Sequence, residues 1–177
     1  MSELPVSLEG PRWRPMKHDD LPAVSALAHE IHASYPEDEA VFQDKLQLFP
    51  YGCFALTGGD SIVGYCFSHP WEREVLPPLN TMIGKLPLQP SAYLVHDIAI
   101  SEDYRRHGAA RRLMTLLQVA AKLFRVEHIT LISVNGTVEF WNRNGFVRTD
   151  NHYLQQVVRQ KYSEEAVHME ASIGKYF

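Results

Sequence analysis

Residues 93–124 read YLVHDIAISEDYRRHGAARRLMTLLQVAAKLF, and the fold follows from this run. Tyr93 to Ile100 has the period of two expected of a strand, with Leu94, Ile98 and Ile100 on one face and Tyr93, Val95, Asp97 and Ala99 on the other. After the turn SEDYRRHG the period changes. From about His107 to Phe124 a stripe of Ala109, Leu113, Leu116, Leu117, Ala120 and Phe124 marks an amphipathic helix. His128 to Val134 is again strand-like. Strand, helix and strand in that order make a parallel βαβ unit.

Upstream, Arg12 to Met16 reads as a short strand. A helix follows, with Asp19 or Asp20 as cap, Pro22 in its first turn and Leu21, Val24, Leu27, Ala28 and Ile31 at helical spacing. Tyr35-Pro36 ends it. A shorter helix spans Asp38 to Phe49, carrying Phe42, Leu46 and Phe49 on one face. Cys53–Thr57 and Ser61–Ser68 flank Gly58-Gly59-Asp60 as a hairpin. Residues 69–92 hold five prolines and no clean period, so they are expected to be a long loop covering a site. Downstream, Gly136–Asn144 is a short helix. Phe146–Thr149 and Tyr153–Val158 are read as a closing hairpin, and residues 160–177 receive no assignment. The expectation is an α/β fold, in one domain over residues 1–177, with residues 1–10 loose.

Composition narrows the class. The chain is 45% hydrophobic, enough for a sizeable core, and carries 17 basic against 21 acidic residues for a net charge of −4. That balance argues against bulk binding to nucleic acid or to an anionic membrane. No segment reaches the roughly 18 apolar residues needed to cross a bilayer, and the first ten residues have no signal-peptide pattern. A cytoplasmic setting is expected, with Cys53 and Cys66 as small buried hydrophobes.

Several standard sites are missing from the sequence: G-x-G-x-x-G, the Walker lysine motif and G-x-S-x-G. His29-Glu30-Ile31-His32 spaces its histidines at i+3 where a zinc helix needs i+4, so it reads as a half-exposed polar face and no metal is expected. Asn135-Gly136-Thr137 matches a glycosylation sequon by chance. The informative segment is Arg105-Arg106-His107-Gly108-Ala109-Ala110. A helix start leaves amide groups without intrahelical acceptors and carries a partial positive charge. Gly108 lets backbone approach a ligand, the alanines leave room, and Arg105, Arg106, Arg111 and Arg112 add charge. A pyrophosphate would fit; a merely solvated basic helix start fits equally well.

The run 93–124 resembles the acetyl-CoA-binding core of the GNAT N-acetyltransferase superfamily, whose hallmark Gln/Arg-x-x-Gly-x-Gly/Ala is matched by Arg105, Gly108 and Ala110. The strand ending Asp97-Ile98-Ala99-Ile100, the upstream IVGYCF and the downstream ITLISVNGTVEFWNRNGF agree in order and distance. The resemblance covers roughly residues 12–155. It implies a mixed, mostly antiparallel sheet with a parallel βαβ core, flanked by helices.

For function, the resemblance implies acetyl transfer from acetyl-CoA to a primary amine of a small molecule or peptide, by a monomer or homodimer. The cofactor would lie where strand 93–100 splays from strand 128–134. Ile98, Ala99 and Ile100 would face the pantetheine arm. Arg105, Arg106, His107, Gly108, Ala109 and Ala110 would hold the pyrophosphate, and Asn135 and Trp141 would lie near the thioester. His96 and Asp97 are the candidates for taking the amine's proton, and strand alternation lets only one of them face the cleft. Many relatives carry a tyrosine acid where this chain has Trp141, whose indole cannot serve as an acid. Tyr153 is a possible substitute. The departure leaves a second reading, a non-catalytic acyl-CoA-binding module.

Overall fold

The computed structural model describes residues 10–174. Nearly all of the expected loose start and the last three residues lie outside that range. Seven strands form one mixed sheet: β1 (Arg12–Pro15), β2 (Cys53–Gly58), β3 (Ser61–Trp71), β4 (Ala92–Ile100), β5 (His128–Ser133), β6 (Val147–Arg148) and β7 (Val167–Ser172). Five α-helices accompany them among the described residues: α1 (Leu21–Ile31), α2 (Glu39–Leu48), α3 (Ala109–Lys122), α4 (Val138–Arg143) and α5 (His152–Lys161). The spatial order is β1-β2-β3-β4-β5-β7-β6, and only β4 and β5 run parallel. The expected architecture is therefore the observed one.

Two apolar layers hold the sheet. On one face α1 and α2 pack Val24, Leu27, Phe42 and Leu46 against Tyr65, Phe67 and Ala99. On the other, α3 packs Leu113, Met114 and Leu117 against Tyr93, Val95, Ile129 and Met169. Cys53 and Cys66 are free and buried, as their composition context suggested. Burial pushes the Cys53 thiol up to about 12.

Three local readings are corrected. Asp20 does not cap α1 with its side chain. Its carboxylate instead accepts hydrogen bonds from the Lys17 amide and from Arg14 Nη1 and Nη2, all at 2.7 Å, tying β1 to the turn before α1. The β3 strand runs on through His69 and Pro70 to Trp71. Beyond Phe67 it pairs with β4 alone, so its other edge is free and tolerates a proline.

The closing hairpin is the third correction, because Tyr153–Val158 lies within α5. Asn151 accepts the Leu154 amide as an N-cap, and Leu154 and Val158 bury one face at i, i+4. Gln155, also on the buried face, donates to the carbonyls of Thr149 and His168 and accepts the His168 amide. The partner that β6 needs is β7, drawn from the unassigned tail.

Candidate active site

Parallel pairing of β4 and β5 covers only Tyr93–Val95 against Ile129–Leu131. Past that point the strands diverge, and the gap opens a cavity of about 500 Å³. One wall is His96–Ile100 of β4; the opposite wall is Ile132, Val134 and the turn Asn135–Thr137. Unpaired strand edges at such a gap leave backbone groups in need of partners.

A bulge in β4 shapes this wall. Phe67 pairs with Asp97, but the next residue of β3, Ser68, pairs with Val95, so His96 is the extra residue. The bulge shifts strand parity. Tyr93 and Val95 therefore share the α3 side with Ile98 and Ile100, while Ala99 faces α1 and α2. The uniform alternation read from the sequence is wrong at this point. So is its corollary, because His96 and Asp97 both line the cavity.

Asp97 accepts the Tyr65 hydroxyl at 3.1 Å and lies 3.5 Å from His32 Nε2. His32, at the end of α1, donates from Nε2 to the Ile98 carbonyl at 2.9 Å, and its Nδ1 lies 3.3 Å from Asn135 Nδ2. It thereby bridges both walls, a place the reading of the His29–His32 face did not give it. Glu37 also lines the cavity. Burial raises its carboxyl pKa even though Lys45, itself only 2% exposed, pairs with it at 2.8 Å. Lys45 lies over the rings of Phe42 and Phe67. Behind the bulge, His69 Nε2 lies 2.9 Å from His96 Nδ1. Burial lowers both histidines, His69 to about 4 and His96 well below its usual range, with Lys45 adding to both effects.

At the far end, the Tyr35 and Tyr162 rings meet tilted at 52° with centroids 5.6 Å apart and line the cavity with Ile31, Pro77 and Leu79. Burial raises Tyr162. Pro77 and Leu79 belong to the 72–91 loop, which covers this end as expected. Asp44 of α2 accepts the amides of Ile83 and Gly84, and Asn80 accepts the Asp38 amide, so the loop is strapped to α2. Met82 of the same loop is 57% exposed and does not line the cavity.

The glycine-bearing bend lies past the other end. Arg105 lines the cavity and donates from Nε to the Ile100 carbonyl at 2.8 Å. Arg106 and His107 are exposed and are not cavity-lining. Ala109 and Ala110 are buried against Leu56 and Ile100, and Trp13 Nε1 donates to the Ala109 carbonyl. Gly108 sits at the N-cap of α3 with φ of 69°, and no side chain caps the helix. A Cβ there would meet only Arg112 Nη1 at 3.4 Å. Arg112, read as part of the anion-facing charge, is committed to the carbonyls of His107 and Pro11. The open helix start and the clear space at Gly108 fit a phosphate-bearing ligand.

Asn135 and Gly136 line the cavity with φ of 55° and 69°, a tight turn in which both residues are left-handed. Trp141 is 6% exposed, meets Phe140 and Phe146 edge-on, and contributes to the cavity wall. Tyr153 is 77% exposed on α5 and does not line the cavity.

The buried histidines make stability depend on pH. His69 and His168 are each held near 4 against an ordinary 6.5, so between those values the unfolded chain binds more protons. Stability is then full above about pH 6.5 and falls as pH drops toward 4. Each of the two costs about 2 kcal/mol at pH 5 relative to neutrality. Urea melts at pH 7.5 and 5 check this, and His168→Gln is expected to flatten the difference.

A profile of the acetyltransferase (GNAT) family matches residues 16–146. No curated protein sequence matches the chain. Among solved structures, Ard1 from Thermoplasma volcanium superposes with a TM-score of 0.71 at 17% identity, covering 94% of this chain and 100% of that one. The ribosomal-protein-S18-alanine N-acetyltransferase from Escherichia coli gives 0.63 at 20% identity, covering 94% and 98%. N-acetylglutamate synthase from Neisseria gonorrhoeae, solved with coenzyme A and N-acetyl-glutamate, gives 0.68 at 12% identity, covering 94% of this chain and 36% of that one. At these identities the likeness is one of fold. Among the described residues, no helix is long and apolar enough to cross a membrane.

Proposed function

The chain belongs to the GNAT acetyltransferase family, and from that premise we propose that it transfers acetyl from acetyl-CoA directly to a primary amine. The observation that carries this is the gap between β4 and β5, with Arg105 at one end of it and, beyond, a helix start that no side chain caps. In this reading the backbone of Ile98, Ala99 and Ile100 meets the amide-rich pantetheine arm. Arg105 and the bend from Arg106 to Ala110 hold the pyrophosphate, and Asn135 and Trp141 flank the thioester.

The acceptor enters from the end lined by Tyr35, Glu37, Tyr162 and Leu79. Lys45 already neutralises Glu37, whereas Asp97 has no lysine or arginine within salt-bridge distance among the described residues. Asp97 therefore attracts the ammonium. The ammonium first gives up one proton to solvent, which frees its lone pair. As that nitrogen bonds to the acetyl carbon and the carbon–sulfur bond breaks, its second proton passes to His96 Nε2. CoA leaves as thiolate. A CoA thiol is a fair leaving group, so no tyrosine at position 141 is required.

The test is free-thiol release from acetyl-CoA across a panel of small and peptide amines at pH 6 to 9. Amine-dependent release is expected, and Asp97→Asn is expected to raise KM for a cationic amine about tenfold. Acetyl-CoA binding with no amine-dependent release anywhere in that range would leave a non-catalytic binding module.

A further inference from the structure

A carbonyl oxygen only accepts hydrogen bonds, and this sets the direction of a chain of contacts behind the cavity. The Pro70 carbonyl lies 2.9 Å from His69 Nδ1, so that nitrogen carries the hydrogen. His69 is 2% exposed, with the buried Lys45 ammonium acting on it from α2, and a second proton on its ring is strongly disfavoured. Its Nε2 is therefore a lone pair. That lone pair faces His96 Nδ1 at 2.9 Å, so His96 donates from Nδ1. A neutral imidazole has a single N–H. His96 Nε2 is then bare, and the His69 contact is the one hydrogen bond its ring makes among the described residues.

We infer that His69 is a positioning residue: it fixes His96 as the Nδ1–H tautomer, so that an Nε2 lone pair faces the cavity. The use of that lone pair in catalysis rests on the proposed acetyl transfer; the tautomer itself does not. Geometry supports the assignment twice over. His96 is the bulged residue of β4, which frees its side chain from the strand's alternation and lets it line the cavity. His69 is anchored to the backbone of its own strand, and its ring meets Trp71 edge-on at 5.3 Å, which limits its rotation. The charged groups acting on the pair are Lys45 and Asp44 of α2 for His69, and Lys45 for His96. The arrangement resembles a base held by a second group that selects which nitrogen is free.

Long-range proton–nitrogen spectra of the labelled protein at pH 7.5 read the tautomer directly, with His96 assigned from the signals lost in His96→Asn. The wild type is expected to show a protonated Nδ1 and a bare Nε2 at His96. His69→Phe keeps a ring against Trp71 but removes the acceptor. It is expected to shift His96 largely to Nε2–H and to lower kcat about tenfold or more, with KM for acetyl-CoA unchanged within about twofold. His69→Gln, whose side-chain carbonyl can accept, is expected to restore both tautomer and rate. An Nε2–H tautomer in the wild type, or an unaltered one in His69→Phe, would overturn the inference. If the tautomer behaves as stated while no amine is acetylated, the relay stands and the transfer reading falls.

Discussion

Gly108→Asp is expected to weaken acetyl-CoA binding about a hundredfold or more, measured by calorimetry on the otherwise intact protein. Gly108 adopts φ of 69°, a left-handed conformation that aspartate and asparagine tolerate better than other residues. The added Cβ meets only Arg112 Nη1, at an ordinary contact distance, so the cost to folding is that of the left-handed backbone alone. The new carboxylate then sits beside the amides and partial positive charge of the α3 start, which would otherwise serve the diphosphate. Gly108→Asn has nearly the same shape without the charge and is expected to lose far less affinity. Thermal melts of the two variants should agree within a few degrees. Equal, near wild-type affinity in both would show that the bend is not the phosphate site.

His96→Ala is expected to lower kcat about a hundredfold while changing KM for acetyl-CoA no more than about twofold. The effect is on turnover because His96 touches the acceptor's reacting nitrogen in the proposed reaction and makes no contact with the phosphate-binding bend. The pH profile carries a second signature. Burial and Lys45 hold the ring's pKa well below its ordinary value, so wild-type His96 stays neutral throughout the neutral range. The acid limb from this residue then lies below the usual histidine range. The rise at higher pH follows the amine's own deprotonation. Retention of wild-type turnover in His96→Ala would transfer the proton-accepting role to Asp97 or to a water.

Much of this was legible in the sequence because it rests on local patterns. The β4–α3–β5 unit, the hairpin and the first two helices follow from periodicity, and Gly108 and Arg105 from a short motif. What escaped depends on pairing between distant segments. The β4 bulge is a mismatch between two strands, and neither strand's own alternation contains it. The extension of β3 through Pro70 requires knowing that β2 stops pairing at Phe67. His69 escapes for the same reason, since the residues that follow it in sequence have the pattern of a loop. Lys45 left a usable trace: it falls on the same helical face as Phe42, Leu46 and Phe49, where a solvated lysine has no place. Tyr162 was hidden by the misreading of α5, whose i, i+4 pair of Leu154 and Val158 competes with a plausible strand alternation.

The order of strands in space also sets an order in time. β7 follows all the other described strands in sequence yet lies between β5 and β6, and among the described residues it is the sole partner of β6. A nascent chain that has emerged only as far as α5 therefore carries an open edge on β5 and an unpaired β6. An edge of that kind is a template for pairing with another chain. Gln155 can donate to the Thr149 carbonyl before β7 arrives, but its bonds to the His168 backbone form only with that strand. The β7 strand thus locks the half of the sheet that carries one wall of the cleft, and a stall between α5 and β7 would leave that edge open to pairing with other chains.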